Sequence, residues 1–342
     1  MARGKKRRAK AEVKDSKENS KSGDGSKKAK KKAAVVKKSG EQKTYNLDGI
    51  SAADSGLKIV TWNVNGLNSI LDKNDKVLKE YLAKEAPDIL CVQETKLTED
   101  KIELAQERLD YIASGYHYTW SCCTTKKGYS GTLIMSKIEP VKVVTEDVVG
   151  SEGRMIVAEF EKHFIICCYV PNSGMKLGRL DYRTGVWDLK FREKLEDLTK
   201  EKPVIWCGDL NVAHGDNDVA DWKKKRNKVP GMCDGERENF GFIVGGDGKE
   251  ITDEQRAKRT LSIGRPGGEG MGFTDVWQKL YPEEEGYTFW SYRFNARGKN
   301  NGWRLDYFVV SKELEGQIES IERRPELWGP SDHVPLVLTL KE

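Results

Sequence analysis

Histidine is scarce and scattered in this 342-residue chain: the four lie at positions 117, 163, 214 and 333, and no Cys-x-x-Cys pair accompanies them. A multi-zinc hydrolytic centre draws several such ligands to each ion, so zinc catalysis is disfavoured. No run of 18 apolar residues occurs and the N-terminus lacks an apolar leader core, so neither a membrane span nor a secretory signal is expected. That places the protein inside the cell. No segment repeats at a fixed period, which argues against solenoids and propellers. The seven cysteines fall mostly within apolar stretches, as Cys91, Cys167, Cys168 and Cys207 do, and read as reduced core thiols.

Aromatic residues are missing altogether from positions 1–44, where 17 Lys and Arg stand against 5 acidic residues, a net of +12. Such a segment cannot bury enough apolar surface to fold and is expected to be a disordered basic tail. The remaining residues carry 42 basic against 49 acidic side chains, a net of −7, so the whole-chain +5 conceals two opposite halves. Affinity of the folded part for phosphate must then come from a local basic face or a metal ion, with the tail adding salt-sensitive attraction. The clusters Lys5-Lys6-Arg7-Arg8 and Lys30-Lys31-Lys32 read as a nuclear import signal, a DNA-contacting arm, or both.

Short apolar runs rich in β-branched and aromatic residues recur from about residue 55: 57–64, 88–92, 118–122, 131–136, 141–144, 155–160, 164–170, 204–207, 287–292, 305–310 and 334–340. Helical spacing appears in Val77-Leu78-Tyr81-Leu82 and in Trp187-Phe191-Leu195-Leu198. Eleven strands exceed one open sheet, so the expected fold is α/β, with two packed sheets flanked by helices in one domain over 55–342. A Gly-rich charged interruption at 245–272, with a short helix near 253–258, reads as an elaborated surface loop.

Polar residues stand at the ends of these runs. In Gly208-Asp209-Leu210-Asn211-Val212-Ala213-His214 an apolar strand ends in an Asp and an Asn one residue apart, and strand alternation puts both on one face. An Asp orients a water and an Asn donates to phosphate oxygens, a pairing suited to phosphodiester hydrolysis, although such a segment alone is more often an Asx-rich turn. Asn63 and Asn65 follow the first strand in the same alternation. Glu94 ends the second, placed to bind a hard cation such as Mg2+. Tyr169 and Asn172 close another. Asp306, inside an apolar run, needs a partner, and His333 in Ser331-Asp332-His333 is the natural one, since a buried Asp fixes a His tautomer and raises its basicity. Asp332 adds a further carboxylate for metal or water.

With Gln93-Glu94-Thr95-Lys96, Gly128-Tyr129-Ser130-Gly131, Tyr169-Val170-Pro171-Asn172, Asn295-Ala296-Arg297 and Gly302-Trp303-Arg304-Leu305-Asp306-Tyr307, these segments resemble, in order, those of exonuclease III type apurinic/apyrimidinic endonucleases of the endonuclease/exonuclease/phosphatase superfamily. The resemblance implies a DNase I-like four-layer sandwich of two mixed sheets. It also implies Mg2+-dependent incision of duplex DNA on the 5′ side of abasic sites, leaving a 3′-hydroxyl, with 3′-phosphodiesterase and 3′–5′ exonuclease side activity. The alternative is a less selective nuclease or a 3′-end processing phosphodiesterase. Tyr169, Asp209, Asn211, His333 and Asp306 then form the catalytic set. Glu94, Asn65 and Asp332, with Asp209 and Asn211, form the metal set for Mg2+, with Mn2+ as a substitute and no zinc. Asn63, Asn172, Asn227, Lys96, Tyr129 and Arg154 form the phosphate-binding set, and Phe289, Trp303 and Leu305 line a small apolar pocket for the flipped sugar. The implied partner is abasic duplex DNA, met by a monomer in the nucleus. Departures lie at Asn65, where many eukaryotic members carry Asp, so that a higher Mg2+ demand is expected, and at Asn68, Met175 and Arg293, where vertebrate members carry Arg, Arg and Met against the duplex.

Overall fold

A computed structural model describes residues 45–52, 55–245 and 270–341. The basic tail at 1–44 with its two Lys/Arg clusters, and all but the ends of the 245–272 interruption, including the short helix expected there, lie outside the described residues. Among the described residues no helix is long and apolar enough to cross a membrane.

Among the described residues twelve strands form two six-stranded sheets. The first contains β1 (Leu57–Asn63), β2 (Ile89–Gln93), β3 (His117–Ser121), β4 (Thr132–Ser136), β11 (Ile318–Arg323) and β12 (Leu336–Leu340), in the order β11-β12-β1-β2-β4-β3. The second contains β5 (Lys142–Val144), β6 (Met155–Glu159), β7 (Phe164–Tyr169), β8 (Val204–Asp209), β9 (Thr274–Asp275) and β10 (Asp306–Val310), in the order β5-β6-β7-β8-β10-β9. Each sheet is mixed: β1 runs parallel to β2 and antiparallel to β12, and β8 runs parallel to β7 and antiparallel to β10.

Alternation along these strands sorts side chains into layers. Ile59, Ile89, Cys91 and Ile134 of the first sheet meet Ile165, Cys167, Ile205, Cys207 and Phe308 of the second in one buried cluster between the sheets. The intervening residues Val60, Trp62, Leu90 and Val92 pack outward against Leu78, Tyr81 and Leu82 of the helix Asp75–Glu85 and against Leu109 of the helix Ile102–Ile112. Trp206, Val309 and Ile166 likewise pack against Phe191, Leu195 and Leu198 of the helix Asp188–Thr199 and Phe240 of the helix Asp234–Val244. Helix, sheet, sheet and helix make the four layers expected. Each fully buried aliphatic side chain contributes about 1.5–3 kcal/mol, so this two-sided burial fixes the register of every central strand.

The same alternation positions the functional residues. Asn63, Gln93, Tyr169, Asp209 and Asp306 continue the inward rows that begin with Ile59, Ile89, Ile165, Ile205 and Phe308, so polar groups replace apolar ones at one end of the space between the sheets. Tyr169 and Asp306 are the two register partners of Asp209.

Three expectations are corrected. The run 287–292 is not a strand but forms isolated bridges, Phe289 with Trp303 and with His333. Two strands were not expected: β9 is only two residues long, and β11 buries Ile318 and Ile321 across a bulge, so its sequence shows no strict alternation. Alternation also stops at Asn63 and Asp209, because Asn65 and Asn211 lie beyond the strand ends with φ of 48°.

Candidate active site

A cleft of about 350 Å³ opens where the polar strand ends meet. It is lined by the polar Asn65, Glu94, Tyr169, Asn172, Asp209, Asn211, Asp332 and His333 and by the apolar Phe289, Trp303 and Leu305, with the Phe289 ring centre 4.8 Å from that of His333 and the turn Val229-Pro230-Gly231 also in the wall. Residues more than two hundred positions apart are thus brought together.

Asn63, fully buried beneath the floor, holds the centre. Its Nδ2 donates to Glu94 Oε1 at 3.0 Å and to Asp209 Oδ2 at 2.8 Å, while its Oδ1 accepts the Asn65 backbone N–H at 2.9 Å. The amide divides the cleft into a Glu94 side and an Asp209 side. On the Asp209 side, Oδ1 accepts the Asn211 backbone N–H at 3.0 Å, Asn211 Nδ2 donates to the Val170 carbonyl, and Asn172 Nδ2 donates to Asn211 Oδ1 at 2.8 Å. Gly208 is required just before Asp209: its φ is 138°, and any Cβ there would collide with the Cys168 carbonyl oxygen across the β7–β8 pair.

His333 stands on the far flank of Asp209. Its Nδ1 is 2.7 Å from Asp306 Oδ2, and its Nε2 is 3.8 Å from Asp209 Oδ2. The ring is fixed by Ser331 Oγ, which accepts the His333 backbone N–H and donates to the Asn63 carbonyl, and by Trp62 Nε1, which donates to the His333 carbonyl. Thr288 Oγ1 accepts the backbone N–H groups of both Leu305 and Asp306 at 3.1 Å, holding the start of β10.

These contacts set the protonation states. Burial, reinforced by the charges of Asp306 and Glu94, raises Asp209 to about 7 against the opposing pull of His333 and Asn63. Burial alone would lower His333, but the charges of Asp306 and Asp209 and the Asp306 hydrogen bond overcome it and raise the imidazole to about 10. Burial and the neighbouring Glu94 and Asp209 push Tyr169 well above the ordinary phenol value, so its hydroxyl keeps its proton at neutral pH. The cleft therefore presents a base poised near neutrality beside an imidazolium and a phenol donor.

The Glu94 side offers hard oxygen donors: the Glu94 carboxylate, Asn65 Oδ1 and Asp332, whose Oδ1 accepts Asn65 Nδ2 at 2.9 Å. Lys96 Nζ makes a 2.8 Å ion pair with Glu94 Oε2 and also donates to Asn65 Oδ1, so those oxygens already share one cation. The arrangement fits a small hard ion. Among the described residues no group of three or more His, Cys, Asp or Glu side chains is disposed to hold a metal, and so few carboxylates suit an ion that keeps much of its water, as Mg2+ does. Asp209 and Asn211, also placed in the metal set from sequence, lie beyond Asn63 with their oxygens accepting protein hydrogen bonds.

Of the expected phosphate-binding set only Asn172 lines the cleft: Asn63 lies beneath it, Lys96 is paired with Glu94, and the remaining three are engaged elsewhere. Arg154 is 1% exposed and fully committed: Nε to Glu152, Nη1 to the Tyr169 carbonyl and Nη2 to the Tyr129 hydroxyl, with its guanidinium 4.7 Å from the Tyr169 ring centre. It buttresses Tyr169. Tyr129 hydroxyl is occupied by Arg154 and Arg179. Asn227 exchanges two hydrogen bonds with Asp234 in an exposed turn. Sequence reasoning missed Thr288, Ser331 as a ring support, and Val229-Pro230-Gly231; only the Pro-Gly pair there carried a turn signal.

The model for the Endonuclease/Exonuclease/phosphatase family matches residues 60–333. An exodeoxyribonuclease of Bacillus subtilis (strain 168) is 40% identical over 288 residues, covering 83% of this chain and 99% of its own. The DNA repair nuclease APEX1 of Danio rerio is 38% identical over 312 residues, covering 90% of this chain and 89% of its own. Among solved structures, the AP endonuclease LMAP from Leishmania major superposes with a TM-score of 0.68 at 31% identity, over 84% of this chain and 88% of that one. The family match spans the residues that converge on the cleft, and the chain belongs to the endonuclease/exonuclease/phosphatase family, among its exodeoxyribonucleases and apurinic/apyrimidinic endonucleases.

Proposed function

We propose that this protein is a divalent-metal-dependent DNA repair endonuclease that hydrolyses the phosphodiester 5′ to an abasic site in duplex DNA, leaving a 3′-hydroxyl, with 3′-end and exonuclease activity at the same centre. One observation carries the reading: a single cleft is lined at once by Glu94, Asp209 and His333 and by the apolar trio Phe289, Trp303 and Leu305. The polar side chains suit attack on a phosphate. The apolar side chains suit a bare deoxyribose, which has no base edge to pair.

In this reading Asp209 orients and deprotonates the attacking water as its carboxylate ionises near neutrality. His333, charged by its Asp306 partner, and Tyr169, held neutral by burial, donate to nonbridging phosphate oxygens, with Asn172 and Asn211 beside them. Glu94 and Asn65, with Asp332, would hold Mg2+, or Mn2+ in its place, which neutralises charge on the phosphate and on the departing O3′ oxygen. The protein acts as a monomer in the nucleus, drawn there by the basic clusters at 5–8 and 30–32; a truncation lacking 1–44 that still enters the nucleus would remove that assignment.

The test is incision of a duplex carrying a tetrahydrofuran abasic analogue, compared with intact duplex, with Mg2+ and with EDTA. Strong preference for the analogue that disappears in EDTA is expected. Equal cutting of both duplexes would replace the reading with a less selective nuclease, and cutting confined to 3′ ends would replace it with 3′-end processing.

A further inference from the structure

The seat beside Glu94 is filled by a side chain of the chain itself. Lys96 Nζ lies 2.8 Å from Glu94 Oε2 and donates to Asn65 Oδ1, the two oxygen donors at the heart of the hard-cation seat. The backbone builds this adjacency. Glu94 and Lys96 both have φ of 54°, a left-handed conformation that disfavours a non-glycine residue and must be imposed by its surroundings. The imposition is visible: the Glu94 and Thr95 carbonyls accept the Gly66 and Leu67 N–H groups, while the Thr95 and Lys96 N–H groups donate to the Gly131 and Ser130 carbonyls. Stapled on both flanks, residues 94–96 present the carboxylate and the ammonium to the same point.

The Glu94 charge is matched. Among the described residues Glu94 is the one carboxylate in contact with the ammonium, and Asn65 is neutral, so Lys96 offsets Glu94 one for one. Asp332 is held through Asn65 Nδ2 instead, and a second cation gains less from Glu94 while the ammonium stays. Lys96 is 31% exposed, against 17% for Glu94, and its four-carbon stem gives it somewhere to go.

We propose that Lys96 is a resident counter-cation of the metal seat: without metal its ammonium holds Glu94 and Asn65 in their binding positions, and a divalent ion enters by displacing it. The displaced ammonium then swings toward the open cleft, where a substrate phosphate is the charge available to it. Lys96 is thus a positioning residue that sets the affinity for metal. The lowered pKa of Glu94, whose burial alone would raise it, accords with this pairing. The inference rests on the reading that the cleft takes a divalent ion.

The experiment uses full-length protein stripped of metal, without DNA, and Mn2+ as probe, with free Mn2+ counted by electron paramagnetic resonance. Lys96→Met is expected to bind Mn2+ at least tenfold more tightly than wild type, Lys96→Arg to stay within a few-fold of wild type, and Glu94→Gln to lose binding. Metal-free Lys96→Met is also expected to melt below wild type and to gain more degrees on adding Mn2+. A merely structural lysine would lower the melting point without tightening the ion, so unchanged or weaker Mn2+ binding in Lys96→Met overturns the proposal while leaving the metal reading intact. Should Lys96→Met fold poorly, Lys96→Gln answers the same question. No Mn2+ binding by wild type or by either neutral variant removes the metal reading and this inference with it.

Discussion

Replacing Asp209 by Asn is expected to stabilise the fold at neutral and alkaline pH while removing turnover. In the folded protein Asp209 titrates near about 7, held up by burial; in the unfolded chain an Asp carboxyl titrates near ~3.9. Between those values the folded state retains a proton that the unfolded chain has released, so the Asp209 contribution to wild-type stability falls as pH rises from about 4 to about 7 and is level above. The difference corresponds to about 4 kcal/mol. Asn does not ionise and escapes this loss. Its Oδ1 still accepts the Asn211 N–H, but its amide nitrogen now faces Asn63 Nδ2, which had donated to Asp209 Oδ2 at 2.8 Å. Leaving that buried donor unpaired costs about 1–3 kcal/mol. The variant is therefore expected to exceed wild type by about 1–3 kcal/mol near pH 8 and to lose that advantage near pH 4. Urea titrations across that range measure the difference directly. A variant minus wild-type gap that stays flat or shrinks as pH rises would refute the placement of a strained carboxylate at this position. Incision should fall by at least ~10²-fold, the contribution of a positioned base.

Incision rate should rise with pH through about 7, as Asp209 releases its proton, and decline as His333 loses its own near about 10; in Asp306→Asn the alkaline limb should move down by more than one pH unit, and an unmoved limb would sever His333 from that role. Phe289→Ala should open the sugar pocket and reduce preference for an abasic analogue over intact duplex by at least ~10-fold, read from the ratio of kcat/KM values; an unaltered ratio would remove Phe289 from selectivity. Arg304, whose guanidinium is paired with Asp218 and Asp275, all three nearly inaccessible, should cost about 3–5 kcal/mol of unfolding free energy when replaced by Ala, because two buried carboxylates lose their partner. A loss under about 1 kcal/mol in urea unfolding would contradict that account.

The central strands were legible because burial on both faces makes long apolar runs, as in Leu57–Asn63 and Val204–Asp209. Two of the four edge strands were not, although His117–Ser121 and Lys142–Val144 were: Thr274–Asp275 is too short to show a period, and Ile318–Arg323 places charges on its exposed positions and breaks register at a bulge. The segment 287–292 has strand composition, but the N–H groups of Thr288 and Phe289 both bond to the Trp303 carbonyl, so no ladder extends from them. In the cleft, residues at strand ends were readable because a polar residue ending an apolar row must face into the same space. Arg154 shows the limit of that logic. Its partners, Glu152, Tyr129 and Tyr169, lie on different segments, and only the folded chain reveals that its charge is spent inside the protein. Lys96 was expected to bind phosphate, and its pairing with Glu94 was not foreseen, because the left-handed backbone at both residues that aims the two side chains at one point has no signature in residue type.

The first sheet is completed by β12, which pairs with β1, and the segment Ser331-Asp332-His333 is tied to residues near the other end of the folded unit, the His333 carbonyl to Trp62 and Ser331 Oγ to the Asn63 carbonyl. A chain deprived of residues 331–340 would therefore lose, in one cut, both the partner of β1 and the imidazole flank of the cleft, so the sheet cannot be completed without the flank being delivered with it.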